Sequence, residues 1–121
     1  MRTFKLKLFK KWAKKEGLTE TSLKKAIKEI ENGLIDADLG GHVYKKRVGI
    51  QGRGKRGGVR TLIAFKIEEN AFFMYGFAKN QLDNIEEDEL RALKRLATEL
   101  LGYSDNDLET AMEAGEIIEV L

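Results

Sequence analysis

The chain has 121 residues, no cysteine, 42% hydrophobic residues and a formal net charge of only +2. That length accommodates one domain, residues 1–121, with one modest core, and the absence of cysteine excludes disulfides and thiolate metal sites. No apolar run approaches the roughly 20 residues needed to cross a bilayer, and Met1-Arg2-Thr3-Phe4-Lys5-Leu6-Lys7 lacks the continuous apolar stretch of a signal peptide, so the chain reads as cytoplasmic, with no membrane partner.

Taken in order, Phe4, Leu6 and Leu8 alternate with Lys5 and Lys7, a short strand. Phe9, Trp12 and Ala13 then take helical spacing, and Gly17 ends that helix. Thr19 is a plausible N-cap for a second helix, whose apolar face is Leu23, Ile27, Ile30 and Leu34. Asn32-Gly33 stops it. Leu34 to Gly41 reads as a connector, and His42 to Ile50 as a strand with basic residues among Val43, Val48 and Ile50. Gly52 to Gly58 holds four glycines, three cations and nothing apolar, so it reads as a turn.

Val59 to Ile67 is a strand with Val59, Thr61, Ile63 and Phe65 on one face and Arg60, Leu62, Ala64 and Lys66 on the other. Glu68-Glu69-Asn70 turns the chain into the apolar strand Ala71 to Phe77. Three strands joined by short turns imply an antiparallel meander. Asn84-Ile85-Glu86-Glu87 has the form of a capping box before a helix carrying Leu90, Leu93, Ala97, Leu100 and Leu101. Gly102 ends it, and Ser104 caps a last helix to about Ala114, followed by the extended segment Ile117, Ile118 and Val120. The expected fold class is α+β: two layers, a mainly antiparallel sheet with two N-terminal helices and C-terminal helices on one side.

Charge is distributed unevenly. Residues 1–66 hold 18 Lys and Arg against 6 Asp and Glu, whereas residues 67–121 hold 4 against 14. Between Leu39 and Ile67 there is no acidic residue, but there are Lys45, Lys46, Arg47, Arg53, Lys55, Arg56, Arg60 and Lys66. A one-sign cluster points to a polyanion, because neutralised phosphates release condensed counterions; the alternative is a solvated cationic face. In the run from Gly52 to Gly58, glycines let backbone N–H groups converge on an anion and the cations add charge. It links two strands instead of opening a helix, which excludes dinucleotide-binding and P-loop readings.

The segment Gly52 to Arg60, with its Gly54-Lys55-Arg56-Gly57-Gly58-Val59-Arg60 core, and the strand end Phe72-Phe73-Met74-Tyr75-Gly76-Phe77-Ala78-Lys79-Asn80 resemble the RelE/HigB family of bacterial type II toxins. Leu34 to Gly41 and the acidic stretch Asn84 to Glu89 are similar to the same subgroup, and the resemblance runs from about Phe4 to Leu101. It implies a RelE-like fold and a ribosome-dependent mRNA endonuclease (an mRNA interferase) that inhibits translation. The implied mechanism is attack of a ribose 2′-OH on the adjacent phosphate, without metal or other cofactor. The implied partners are mRNA, the ribosome with its rRNA, and a cognate antitoxin of helix-turn-helix type.

Such cleavage builds negative charge at phosphorus, which fixed cations stabilise, and it moves protons from the 2′-OH and to the 5′-oxygen. Carried onto this chain, the catalytic set is Arg60 as the clamp on that charge, Lys79, Lys55 and Tyr75. Lys45, Lys46, Arg47, Arg53 and Arg56 are the RNA-binding set. Tyr75 reads as core somewhat more readily than as site, Trp12 as core, His42 as structural or exposed with general base as its alternative, and Asp36 with Asp38 as a weak metal pair. No activated base stands out. The competing functions are a ParE-like gyrase inhibitor on the same fold, a non-catalytic RNA- or DNA-binding module, and a purely structural protein.

Overall fold

Two adjacent apolar residues in a strand point to opposite faces, so an unbroken apolar run needs cover on both sides. The chain has two such runs, Leu62-Ile63-Ala64-Phe65 and Ala71-Phe72-Phe73-Met74, and none of these eight residues is more than 6% exposed. The computed structural model describes residues 1–50, 54–78 and 85–121, with backbone alone at 54–57.

Ten elements follow one another in it: β1 (Arg2–Leu6), α1 (Lys7–Glu16), α2 (Glu20–Glu31), β2 (Ala37–Asp38), β3 (Val43–Ile50), β4 (Gly54–Phe65), β5 (Asn70–Ala78), α3 (Glu87–Leu101), α4 (Asp105–Glu113) and β6 (Ile117–Glu119). The strands form one sheet in the order β2-β3-β4-β5-β1-β6. Only β1 with β5 is parallel; the other neighbours are antiparallel. Both outer strands, β2 and β6, are three residues or shorter, which leaves little edge for foreign pairing. No described helix is long and apolar enough to cross a membrane.

The α+β class, the mainly antiparallel sheet and the β3–β4–β5 meander agree with the sequence reading; the layering does not. One core cluster joins Phe9 and Ala13 of α1 and Leu23, Ile27 and Ile30 of α2 to Val48, Val59, Ile63, Phe65 and Phe73. A second joins Ala97 and Leu100 of α3 and Leu108 and Ala111 of α4 to Phe4, Val43, Leu62, Ala64 and Phe72. Helices therefore cover both faces of the sheet, the N-terminal pair on one and the C-terminal pair on the other. The two-sided apolar runs are the physical reason.

Local signals fare unevenly. Thr19 caps α2 by accepting from the Ser22 N–H at 3.1 Å, and Ser104 and Asp107 form a full capping box on α4. The Asn84 of the expected box lies outside the described residues; the helix begins at Glu87 after Glu86, which makes no side-chain cap bond. Three acids, Glu87, Asp88 and Glu89, instead occupy the first turn, where the helix dipole favours them. The glycine run is also shorter as a turn than expected. Strand β4 already begins at Gly54, which pairs with Ile50 across a register shift. At that irregularity a Cβ on Gly58 would lie 2.2 Å from the Val48 carbonyl oxygen, so only glycine admits this close approach.

Candidate functional site

Strand parity sorts the cations. On β3, Val43, Lys45 and Arg47 point to the α3/α4 face, and on β4 so do Arg60, Leu62 and Ala64. The register sets Arg47 opposite Arg60 and Arg60 opposite Phe77; one row further in, Lys45 lies opposite Leu62 and Leu62 opposite Tyr75. At the inner end of this face, Val43, Leu62 and Ala64 are sealed in the core. The first turn of α3 is exposed, and this helix is fully buried only at Ala97 and Leu100. The outer end of the face, with Arg47, Arg60 and the hairpin extension beyond them, is where positive charge collects.

Arg47 is held in place. Its Nε donates to Asp36 Oδ1 at 2.9 Å and its backbone N–H donates to Asp36 Oδ2. Asp36 itself continues the β2–β3 pairing, its N–H donating to the Lys45 carbonyl at 2.9 Å. Burial works to raise the Asp36 pKa, but the hydrogen bonds from Arg47 and its charge outweigh burial and hold it below the ordinary carboxylate value.

Arg60 has the opposite surroundings. Its Nη1 is buried and has no hydrogen-bond partner among the described residues. Burial lowers the Arg60 pKa, the charge of Arg47 lowers it further, and Asp36 opposes them. Two like charges directly across a strand pair repel, and a buried donor without an acceptor is costly. An anion placed between Arg47 and Arg60 relieves both.

The remaining candidates are placed as follows. Tyr75 is 38% exposed, with its ring centroid 6.3 Å from that of buried Phe77, so it lies at the surface in the row beside Arg60 and not in the core. Lys46 goes elsewhere. It is 4% exposed, on the α1/α2 face, with Nζ 2.9 Å from Glu29 Oε1. Its neighbours Lys45 and Arg47 face the other way, so the structure does not bring Lys46 together with them. Lys55 and Arg56 belong to β4, roughly 13–16 Å along the strand from Arg60 at the usual rise. Arg53 and Lys79 lie outside the described residues. Strand β5 ends at Ala78, paired with Val59 next to Arg60.

His42 sits in the β2–β3 turn with φ 62°, five residues and about 16 Å from Arg47 along β3, which fits its structural reading. Asp38 accepts from the Gly40 N–H at 2.9 Å, so neither aspartate of the suggested metal pair is uncommitted.

Sequence reasoning missed Asp36 as the group that fixes Arg47. The signal was present, since Asp36 and Asp38 are the last acids before the acid-free stretch, but a two-residue strand such as β2 has no periodicity to reveal it. It also missed the seat of Trp12, on the sheet face opposite the site. A Cβ on Gly76 would lie 2.0 Å from Trp12 Cζ3, so the indole of α1 lies directly on β5 between Tyr75 and Phe77.

A family model described as the RelE toxin of the RelE/RelB toxin–antitoxin system matches residues 1–120. No curated protein matches the chain.

Proposed function

Because the chain belongs to the RelE toxin family of toxin–antitoxin systems, we propose that it acts as an endoribonuclease on ribosome-bound mRNA, with the Arg47–Arg60 face as its phosphate site. The observation that carries this reading is the buried Arg60 Nη1, without a partner among the described residues and facing a second arginine. A protein that only needed stability there would supply an acid, as it does for Lys46 and Arg47. A phosphodiester supplies the missing acceptors and negative charge.

In this reading the ribose 2′-oxygen attacks the adjacent phosphorus, the P–O5′ bond breaks, and a 2′,3′-cyclic phosphate and a 5′-hydroxyl result. Arg60 donates to the phosphoryl oxygens as charge builds on them. Arg47, oriented by Asp36, and Lys45 hold the phosphates on either side. Tyr75 stacks on a base or passes a proton; Lys55 and Lys79 are the further catalytic candidates and Arg53 and Arg56 the further RNA-binding ones, Arg53 and Lys79 lying outside the described residues. The ribosome aligns the mRNA, so the protein supplies electrostatics more than substrate grip. The antitoxin partner follows from the family; its helix-turn-helix type, the cytoplasmic location and the single-domain organisation belong to this proposal.

Induced expression of the wild type beside Arg60→Ala, with mRNA 5′ ends mapped over time, tests it. New ends within translated codons, absent in the variant, are expected. Growth arrest with intact mRNA would replace the proposal by a gyrase-inhibitor reading, and absence of arrest by a non-catalytic binding module.

A further inference from the structure

Helix α2 ends in a fixed C-terminal turn. Gly33, with φ 85°, donates its N–H to the Ile30 carbonyl at 2.9 Å, and the Leu34 N–H reaches the Glu29 carbonyl at 2.8 Å. Such a turn ordinarily packs the residue after its glycine against the last turn of the helix. Leu34 departs from this. Expected from the sequence on the apolar face of α2, it lies past the helix end and is 57% exposed. Ile35 beside it is 37% exposed. The exposure does not come from a loose connector, because the backbone is bonded at each step: Ile35 donates to the Gly33 carbonyl at 3.2 Å and Asp36 to the Lys45 carbonyl at 2.9 Å.

The two aliphatic side chains line a cavity of about 210 Å³ together with Asp36, Lys46 and Arg47. It lies at the edge of β3, where pairing with β2 stops at Lys45. The Lys46 ammonium is engaged by Glu29 and the Asp36 carboxylate by Arg47. Arg47 reaches Asp36 through Nε and its backbone N–H, and among the described residues no group accepts from its two Nη nitrogens.

We propose that this cavity is a base subsite, in which the nucleobase next to the phosphate held by Arg47 and Arg60 stacks on the Arg47 guanidinium and packs against Leu34 and Ile35. The inference deepens the proposed function and rests on its phosphate site. A nucleobase is flat, apolar on its faces and carries acceptors at its edge, which suits an aliphatic wall beside a fixed planar cation. A phosphate gains nothing from aliphatic walls, a cationic side chain is repelled by Arg47, and an apolar peptide side chain leaves the Nη donors unused. The order across the sheet fits as well. The β2 edge, Arg47, Arg60 and Phe77 follow one another at about 5 Å per strand, with Tyr75 one row further in. A phosphate between the arginines carries a sugar on each side, so one base reaches the β2 side and the other the Tyr75 side. Phosphate contacts fix register and base contacts select sequence, which makes Leu34 and Ile35 specificity-determining residues for the bases that flank the cut.

The test uses the full chain and probes that cannot be cleaved: the four nucleoside 3′-monophosphates, with ribose 5-phosphate as the base-free control. At least one nucleotide is expected to bind roughly fivefold or more tighter than the control, the scale of one stacked base, and to shift the methyl NMR signals of Leu34 and Ile35. Leu34→Ser, at an exposed position, is expected to keep the wild-type melting temperature and lose that gain, and Leu34→Met to keep both. On ribosomes, Leu34→Ser is expected to change the bases found at mapped mRNA 5′ ends; unchanged bases overturn the inference. Equal binding of nucleotides and control, with unmoved methyl signals, overturns it and leaves the phosphate site standing. A base gain that survives Leu34→Ser but vanishes in Tyr75→Ala puts the base on β5 and overturns it as well, as do methyl shifts that arise only on adding the antitoxin. Binding of no probe, or binding unaffected by Arg47→Ala and Arg60→Ala together, brings down the phosphate site and the inference with it.

Discussion

The β3–β4 hairpin carries cations on both of its faces, and the two faces treat them differently. Towards α1 and α2, Lys46 is buried but paired with Glu29 at 2.9 Å, and its carbonyl accepts from the buried Thr61 hydroxyl at 2.9 Å. Towards α3 and α4, one register step away, Arg47 lies opposite Arg60, and Arg60 buries an Nη1 that no described group accepts from. Lys46 is buried, Arg60 is half-buried and Arg47 is exposed, but all three are cations of one hairpin. The difference is whether the protein supplies the counter-charge, and that separates a cation that builds the fold from one that waits for a ligand.

The largest expected effect tests the second face. Arg60→Ala is expected to lower ribosome-dependent mRNA cleavage by about 10²–10³-fold, the scale of losing one donor to a developing phosphoryl charge. Its urea midpoint is expected to equal or exceed that of the wild type, because the substitution removes a buried orphan donor and a like-charge contact. A variant that unfolds while cleaving normally would merge the two faces into one structural role. Lys46→Ala tests the first face with the opposite pattern. Breaking a largely buried pair costs about 3 kcal/mol, read as a lower urea midpoint, with RNA affinity of the folded fraction unchanged. Loss of RNA affinity at full stability would show that strand parity had sorted Lys46 wrongly.

Gly76→Ala sharpens the comparison at the junction of the two regions. The added methyl group meets Trp12 Cζ3 at 2.0 Å, so the indole or β5 has to move. Overpacking of this kind costs about 1–3 kcal/mol. The expected readout is a red-shifted Trp12 emission together with a lower melting temperature, and Trp12→Phe in the same background is expected to recover part of the loss.

What the sequence revealed follows from the length over which each signal repeats. Period-two alternation identified the faces of β4 correctly, and the caps at Thr19 and Ser104 were legible because a side chain and a backbone N–H three residues on suffice. The acid-free stretch pointed to a polyanion, but composition does not assign charges to faces, so Lys46 was grouped with Arg47. The two-sided cover of the sheet was implied by unbroken apolar runs in β4 and β5, which no counting of helices reveals. The parallel β1–β5 pairing and the Asp36–Arg47 contact join residues far apart in the chain through short or non-consecutive strands, where no local pattern exists to read.

Asp36 provides the smallest effect and the finest distinction between the faces. Its folded pKa is below the ordinary carboxylate value, so its contribution to stability is complete above the unfolded pKa of about 3.9 and is lost as the pH falls through the lower folded value. Asp36→Asn is therefore expected to melt below the wild type at neutral pH, and the two melting curves are expected to converge at the acidic end of a titration. The size of the gap is small, because the pair is partly open to solvent. A second consequence concerns the site. Protonating or replacing Asp36 removes the only described acid that offsets the repulsion between Arg47 and Arg60, so the site becomes more positive as its geometry loosens. If charge alone governs RNA binding, Asp36→Asn binds RNA more tightly than the wild type at neutral pH. If the orientation of Arg47 governs, it binds more weakly and with an unchanged salt slope, and the bidentate hold on Arg47 argues for this second outcome.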